Sequence, residues 1–222
     1  MGKDKLRRFE AIKSFKNVIE AEPDVAFSMK GSWRKTFFKN NNPIVVELGC
    51  GKGEYSLGLA KYFPNKNFIG VDLKGNRIYI GAKEALELKI TNVAFLRTRI
   101  DFITDYFTQN EVDEIWLTFS DPQKKKPRKR LTSSLFINRY LQILKPGGII
   151  HLKTDSELLF NFTLNEIEKN NYECLRCTWD LYNDVFENTD QSTKDILDIK
   201  TFYERLFVKK GFSIKYCKFT IH

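Results

Sequence analysis

The chain has 222 residues, 42% of them hydrophobic and 14% aromatic, which excludes an intrinsically disordered protein and allows one sizeable core. Its formal net charge of +9 favours a polyanionic partner, nucleic acid first, over a merely solubilising surface. No apolar run approaches the roughly 20 residues of a membrane span, and no apolar signal core follows the first methionine, so we expect a cytoplasmic protein without a membrane partner.

The first 40 residues differ from the rest in charge and in pattern. They contain ten Lys or Arg residues against five Asp or Glu, without a clear apolar repeat at the start. This predicts a basic N-terminal arm over 1–40, partly mobile, with one short helix around 9–19. Residues 41–222 are predicted to form a single domain.

From residue 43, short apolar runs alternate with helical patterns. Strands are predicted over 44–48, 67–71, 93–98, 114–119, 149–153 and 172–178, and helices over 55–62, 76–89, 133–144 and 157–169. This alternation predicts an α/β fold with a parallel sheet and helices on both of its faces. A polar loop is expected over 180–200. A helix over 202–210 then leads directly into a strand over 212–220, which we expect at an edge of the sheet.

A glycine-rich loop follows the first of these strands. Residues 45–53 read Val-Val-Glu-Leu-Gly-Cys-Gly-Lys-Gly, with glycines at positions 49, 51 and 53 after the acid Glu47. Asp72 ends the next strand, 21 residues after Gly51, where a carboxylate can accept both hydroxyls of a ribose. The spacing is not the G-x-G-x-x-G of dinucleotide sites. Glu47, the glycine loop and Asp72 together favour S-adenosylmethionine, because its sulfonium and ammonium groups are positive. The alternative is an ordinary turn in which Glu47 makes only a structural hydrogen bond.

A single acid and a basic run follow the strand predicted over 114–119. Ser-Asp-Pro at 120–122 places Asp121 at the carboxyl end of that strand, where open α/β sheets bind their ligands. Six of the next eight residues are basic: Lys124, Lys125, Lys126, Arg128, Lys129 and Arg130. We interpret Asp121 as facing a reacting base and the basic segment as binding the flanking phosphates. A solvated surface loop is the alternative.

The four cysteines do not indicate a metal site. Cys174 and Cys177 have C-x-x-C spacing, but zinc requires two further ligands. The chain has only two histidines, His151 and His222. We therefore expect no metal.

Taken in order, these motifs resemble those of the bacterial tRNA (guanine-N7-)-methyltransferases. The resemblance runs from about Trp33 to Phe219. It rests on Asn-Pro at 42–43, the loop through Tyr55, Phe-Ser-Asp-Pro at 119–122, Lys-Arg-Leu-Thr at 129–132, Lys-Thr-Asp at 153–155 and Thr-Phe-Tyr-Glu at 201–204. The loop alone indicates only a methyltransferase, whereas the later motifs are far more specific.

The resemblance implies a Rossmann-like class I methyltransferase with a mostly parallel seven-stranded sheet whose last strand is antiparallel. It implies methyl transfer from S-adenosylmethionine to N7 of a guanine in the tRNA variable loop, forming 7-methylguanosine. The implied cofactor positions are Glu47, Gly49, Gly51, Gly53, Asp72, Arg99 and Asp121. Asp121 is also the implied catalytic residue, and the implied substrate positions are Lys125, Asp155, Thr201 and Glu204.

The chain departs from the family pattern in two places. Asp-Pro is usually followed by Trp-Pro-Lys-Lys-Arg-His, whereas here it is followed by Gln-Lys-Lys-Lys-Pro-Arg in a segment about two residues shorter. Lys125 or an adjacent lysine therefore aligns with the substrate position of the family. The residue beside the adenine, often Asn or Asp, falls at Arg99, so that either its backbone or Asp101 would contact the adenosine.

The sequence allows several alternative interpretations. Thr201 and Glu204 could form only a capping box at the start of a helix, and Asp155 could be only an N-cap. A methyltransferase acting on another base position is one alternative function, although those acting on amines resemble Asp/Asn-Pro-Pro-aromatic, which this chain lacks. A non-catalytic RNA-binding protein on this scaffold is another. The pattern does not choose between a monomer and a homodimer.

Overall fold

A computed structural model describes residues 3–20, 27–185 and 189–222 of the chain. Its centre is an eight-stranded sheet with the order β1-β4-β3-β2-β5-β6-β8-β7. The strands are β1 Val18–Glu20, β2 Ile44–Leu48, β3 Asn67–Asp72, β4 Val93–Arg97, β5 Val112–Thr118, β6 Leu144–Thr154, β7 Cys174–Thr178 and β8 Lys215–Thr220. β8 is antiparallel to both of its neighbours, and all other pairs are parallel.

Within the described residues, seven α-helices surround this sheet. They are α1 Lys3–Ile12, α2 Glu54–Tyr62, α3 Gly75–Glu87, α4 Ser134–Tyr140, α5 Glu157–Lys169, α6 Gln191–Leu197 and α7 Phe202–Lys209. Shorter helical turns lie at Trp33–Phe38, Ile100–Asp105, Pro127–Lys129 and Leu181–Val185. Side-chain caps fix three of the starts, since Ser156, Asp190 and Thr201 each accept a hydrogen bond from a backbone N–H in the first turn of α5, α6 and α7.

The central strands are buried on both faces. All five residues of β2 are buried, as expected for a parallel strand covered by helices on each side. Val46 packs in the cluster that contains residues of α4 and α5, whereas its neighbour Val45 packs in the cluster that contains residues of α2, α3 and α6. The two clusters define two faces, which we call the α4 face and the α3 face.

The fold predicted from the sequence is confirmed, with one more strand than expected. β1 pairs in parallel with β4 and extends the seven predicted strands at one edge. Its three residues are too few for a period-two pattern to stand out in the sequence. β8, expected at an edge, instead lies between β6 and β7, so the edge strand is β7.

The ends of the chain differ locally from the prediction. The helix expected at 9–19 lies earlier, at Lys3–Ile12, and packs against α3. The polar stretch 180–200 contains the helix α6 rather than only loop. Residues 1–2 and 21–26 of the predicted arm, and 186–188 of the predicted loop, lie outside the described residues. The division into an arm and a domain stays a prediction.

Candidate active site

The glycine loop joins the buried strand β2 to the helix α2. Gly49, Gly51 and Gly53 all have positive φ angles, of 84°, 57° and 74°, which L-residues with a side chain rarely adopt. A Cβ atom at Gly49 or Gly51 would meet no protein atom within 4 Å, so open space lies above both. A Cβ at Gly53 would lie 2.4 Å from the ring of Phe95. The first two glycines therefore leave room for a ligand, and the third allows close packing.

Glu47 lies beneath this loop and is fully buried. Its Oε2 atom accepts a hydrogen bond from the backbone N–H of Ser56, at 2.8 Å, and another from the Ser56 hydroxyl. Its Oε1 atom accepts one from the Thr118 hydroxyl. Burial raises the pKa of Glu47 to about 7, against the effect of these hydrogen bonds. Glu47 thus ties α2 to the end of β5, and neither of the two pockets described below is lined by it.

Asp72 shapes the loop from the end of β3. Its Oδ2 atom accepts from the N–H of Gly51 at 2.9 Å, and its Oδ1 atom accepts from the N–H of Lys74 at 2.7 Å. Each carboxylate oxygen can accept a second hydrogen bond. Asp72 can therefore hold the loop and accept hydroxyl donors of a ligand at the same time.

A first pocket, of about 390 Å³, opens beside Asp72. Gly49, Asp72 and Arg99 all line it, so the structure brings these three predicted residues together. Further lining residues come from the turn after β4 and from the segment before α4: Leu73, Thr98, Ile100, Asp101, Gln123, Lys126, Lys129, Leu131 and Phe136. The mixture of a carboxylate, apolar side chains and exposed backbone suits a nucleoside.

The far wall of the first pocket carries a group of paired charges. Asp101 accepts from Arg99 and from Lys129, each at 3.3 Å. Burial acts against ionisation, but the bonds and charges of Lys129 and Arg99 outweigh it and lower the pKa of Asp101. The guanidinium of Arg99 also lies 5.3 Å from the centroid of the exposed ring of Phe102. Arg99 and Asp101, the two candidates from the sequence for the adenosine side, thus line one pocket and bind each other.

Asp121 lies in a strained turn at the end of β5. Phe119 and Gln123 on either side of it have positive φ angles of 50° and 45°, which are uncommon for residues with a side chain. The Oδ1 atom of Asp121 accepts from the N–H of Gln123 at 2.8 Å, and the side chain is exposed. Gln123 lines the first pocket and Phe119 lines a second one, so the turn that carries Asp121 stands between the two.

The cations of the basic segment behind Asp121 differ in burial: most are exposed to solvent, and one is buried and bonded within the protein. Lys124, Lys125, Lys126 and Arg128 are exposed. Arg130, in contrast, is 5% exposed. It donates to the carbonyl of Pro122 at 2.9 Å, and its guanidinium lies 4.5 Å from the centroid of the Phe162 ring. Arg130 therefore anchors the turn, a role that its charge alone could not indicate in the sequence.

Thr201 and Glu204 do not form a reciprocal capping box. The Thr201 hydroxyl caps α7 by accepting from the N–H of Glu204 at 3.1 Å. Glu204 points inward and pairs with Lys153 at 2.7 Å, and both side chains are 0% exposed. Lys153 also donates to the carbonyl of Leu197 at 2.6 Å. The Lys-Thr-Asp and Thr-Phe-Tyr-Glu motifs therefore meet in a buried ion pair, and Lys153 is a key residue that sequence reasoning missed.

Asp155 lies at the end of β6, next to that ion pair. The N-cap of α5 is Ser156 and not Asp155, because Ser156 Oγ accepts from the N–H of Leu159 at 3.2 Å. Partial burial raises the pKa of the Asp155 carboxyl. Lys215 donates to its backbone carbonyl at 3.1 Å. The carboxylate is thus not used as a cap, and it is half-buried at the end of a strand where ligands bind.

A second pocket, of about 300 Å³, lies on the α3 face between the glycine loop and the start of α7. Gly49 lines both pockets and so marks the point where they adjoin. The other lining residues are Arg8, Cys50, Gly51, Lys52, Glu54, Asn76, Arg77, Ile80, Thr118, Phe119, Thr201, Phe202 and Tyr203. Of the four predicted substrate positions, Thr201 lines this pocket, whereas Lys125, Asp155 and Glu204 line neither pocket.

The described part of the chain contains no group of three or more His, Cys, Asp or Glu residues that could hold a metal ion. His151 is buried, with its ring stacked on Trp116 at 3.8 Å and its Nδ1 atom 2.8 Å from the Tyr216 hydroxyl. Among the described helices, none has the length and apolar character needed to cross a membrane.

Comparison with solved structures supports the fold. The 16S rRNA methyltransferase KamB superposes with a TM-score of 0.64 at 12% identity, over 92% of this chain and 98% of that one. A SAM-dependent methyltransferase from Aquifex aeolicus gives a TM-score of 0.55 at 14% identity, over 96% and 98% of the two chains. At these identities the likeness shows the fold alone, which is that of the class I methyltransferases.

Comparison of sequences gives the family. A family model described as "Putative methyltransferase" matches residues 41–217. The tRNA (guanine-N(7)-)-methyltransferase of Bacteroides fragilis is 52% identical over 100% of this chain and 87% of that protein. The enzyme of the same name from Christiangramia forsetii is 47% identical over 99% of each chain. This chain therefore belongs to the tRNA (guanine-N(7)-)-methyltransferase family.

Proposed function

We propose that this protein transfers a methyl group from S-adenosylmethionine to N7 of a guanine in the variable loop of tRNA. The observation that carries the proposal is the position of Asp121, on a turn between the first pocket and the second. Relatives named for this reaction match the whole length of the chain. The alternatives left by the sequence, another base position or RNA binding without catalysis, become outcomes of the test.

The residues of the first pocket fit S-adenosylmethionine, which when bound supplies a methyl group on a positively charged sulfur. The open space above Gly49, which lines this pocket, accommodates a ligand close to the backbone. Asp72 is placed to accept from ribose hydroxyls, and Arg99, Ile100 and Asp101 form the wall for the adenine. Glu47 supports this floor from beneath instead of touching the ligand.

Guanine N7 carries a lone pair and no proton, so its methylation requires no general base. None of the described residues that line either pocket is a histidine, which is compatible with that requirement. The chain must instead position N7, and positioning alone can lower a barrier by roughly 7–11 kcal/mol. As positive charge moves onto the guanine, the exposed carboxylate of Asp121 stabilises it. Asp121 is therefore the proposed catalytic residue.

The burial of the remaining acids separates their roles. Glu204 is 0% exposed and paired with Lys153, so we assign it to holding α7 and not to the base. Asp155 is half-buried and free of a capping role, which leaves it to accept from the N1–H and N2–H₂ groups of guanine. Thr201 lines the second pocket and positions the start of α7 beside the substrate.

The exposed cations of the basic segment are suited to the RNA backbone. Lys124, Lys125, Lys126 and Arg128 are all solvent-exposed. Lys126 also lines the first pocket, so we assign phosphate contacts to Lys124, Lys125 and Arg128, with Lys125 as the predicted substrate residue. Replacing Lys125 and Arg128 by Gln should weaken tRNA binding and flatten its salt dependence. An unchanged salt dependence would contradict the assignment.

Methyl transfer from labelled S-adenosylmethionine to unmodified bulk tRNA tests the function directly. Nuclease digestion and nucleoside analysis should find the label in 7-methylguanosine for the wild type, and no label for Asp121→Ala. A label on an exocyclic amine would keep the fold and defeat the assignment of N7. Cofactor binding without labelled tRNA would support the non-catalytic alternative or a different nucleic acid.

Location and assembly remain proposals. We place the protein in the cytoplasm, where its tRNA substrate is, and as a monomer or a homodimer. Sedimentation equilibrium with and without tRNA would distinguish the two assemblies.

A further inference from the structure

The second pocket is lined by three cations that were not predicted as site residues. Arg8 comes from α1, Lys52 from the glycine loop and Arg77 from α3. They come together only in the fold, because about 70 residues of sequence separate the first from the last. Their availability to a ligand depends on whether acids of the protein already neutralise them.

Two of the three cations have no acid partner in the part of the chain that the structure describes. Lys52 and Arg77 form no ion pair within the described residues. Arg8 is paired with Asp4 at 2.8 Å, although its Nε atom is buried without a hydrogen-bond partner. The one acid that lines the pocket, Glu54, accepts from the backbone N–H of Phe202 at 2.9 Å. The pocket therefore keeps a net positive charge.

Exposed aromatic rings lie next to the unpaired cations. Phe202 is 49% exposed and Tyr203 is 40% exposed, at the first turn of α7. Lys52 Nζ lies 4.1 Å from the centroid of the Phe202 ring, and Arg77 donates to the Tyr203 hydroxyl at 3.1 Å. Cations that alternate with exposed rings are typical of surfaces that bind nucleic acid chains.

This surface lies on the opposite side of the Asp121 turn from the basic segment. The pocket is walled by α1, α3 and α7 on the α3 face, whereas the basic segment contacts α4 on the other face. Phe119 and Gln123 flank Asp121 and line the pockets on either side. The Asp121 turn is therefore flanked by positively charged surfaces on both faces of the sheet.

We propose that Lys52 and Arg77 bind backbone phosphates of the tRNA, on the side of the methylated guanine opposite to the basic segment. The inference rests on the proposed function and names a second contact surface for the same substrate. Each lost phosphate contact lowers the slope of log K against log salt by about 1. Two contacts therefore predict a change of about 2.

The test is binding of an unmodified tRNA transcript to the double variant Lys52→Gln, Arg77→Gln over a range of salt concentrations. The matched control is Lys61→Gln, Lys83→Gln, which removes two charges from the exposed surfaces of α2 and α3. We expect the dissociation constant of the pocket variant to rise by roughly tenfold or more near 0.15 M salt and its slope to fall by about 2. The control should stay within about twofold of the wild type.

Two further measurements separate phosphate binding from other roles. Tyr203→Phe removes the hydroxyl that Arg77 binds but keeps the ring. If it weakens tRNA binding as much as Arg77→Gln does, Arg77 acts through Tyr203 and the proposal is wrong. The affinity of the double variant for S-adenosylmethionine should equal that of the wild type. A loss of cofactor affinity with an unchanged salt slope would place Lys52 in the cofactor site and overturn the proposal.

Failure of this inference is distinguishable from failure of the proposed function. If the wild type forms 7-methylguanosine and the pocket variant binds tRNA like the control, only the second surface is wrong. If the wild type neither binds nor methylates tRNA, the proposed function fails and the inference fails with it.

Discussion

The acids of this site belong to two regions with opposite surroundings. Glu47 and Glu204 are buried, and every described hydrogen bond or ion pair that they form joins elements of the protein. Asp121 is exposed on a turn whose neighbours have uncommon backbone angles, and it bonds only within that turn. The difference indicates that the buried acids hold the frame while the exposed acid acts on the substrate. Belonging to a motif does not by itself distinguish these roles.

Breaking the buried ion pair between Lys153 and Glu204 should have the largest effect on the free energy of unfolding. Lys153→Met leaves Glu204 without its cation at a site that is 0% exposed. Removing one partner of such a pair typically costs about 3–5 kcal/mol in the free energy of unfolding. Denaturant unfolding measures this loss. The double variant Lys153→Met, Glu204→Leu should recover much of the stability, and a single variant as stable as the wild type would show that the pair does not hold the frame.

Substitution of the exposed acid, Asp121, should instead lower the reaction rate and leave the stability almost unchanged. Asp121→Asn keeps the size of the side chain and removes the charge next to the reacting base. We expect the single-turnover rate to fall by about 100-fold or more, with little change in the free energy of unfolding because the side chain is exposed. Rapid-quench assays with saturating tRNA measure the rate. Equal rates for the variant and the wild type would remove Asp121 from the chemistry.

Glu47 predicts a pH dependence of stability rather than of chemistry. Burial raises its pKa from 4.5 to about 7, so the native state holds a proton that the unfolded chain has released between these values. The free energy of unfolding should therefore decrease as pH rises through this window, by up to about 3 kcal/mol. Glu47→Gln should flatten that decrease in denaturant melts without cofactor. A parallel pH dependence in wild type and variant would contradict the prediction.

The smallest expected change in stability comes from removing either of two helix caps. Thr201 caps α7 beside the second pocket, and Asp190 caps α6 without lining either pocket. Replacing either residue by Ala should lower the free energy of unfolding by about 1 kcal/mol. Only Thr201→Ala should also raise KM for tRNA, because only Thr201 lines the pocket. Equal KM values for the two variants would reduce Thr201 to a cap.

The sequence predicts most of the sheet, because its strands and helices follow local patterns. Strand β2 and helix α5 lie at their predicted residues. Of the predicted cofactor positions, Gly49, Asp72 and Arg99 line the first pocket, whereas Gly51 lines the second. The short strand β1 and the place of β8 inside the sheet depend on pairing between distant segments. Such pairing leaves no periodic signal in either segment.

The burial of two cations near the site could not be predicted from the sequence for a related reason. Lys153 ends a predicted strand and Arg130 belongs to the basic segment, and neither pattern shows that the side chain is buried and binds a backbone carbonyl. Their partners lie 44 and 8 residues away, respectively. A charge run does not reveal which of its members turns inward, so burial had to come from the structure.

The most direct test of the account measures two quantities on two variants, Asp121→Asn and Glu204→Gln. The quantities are the single-turnover rate of 7-methylguanosine formation and the free energy of unfolding. Asp121→Asn should lower the rate and keep the stability, whereas the main effect of Glu204→Gln should be a loss of stability. If Glu204→Gln is as stable as the wild type and loses the rate, while Asp121→Asn keeps it, the assignment of the exposed and buried acids is contradicted.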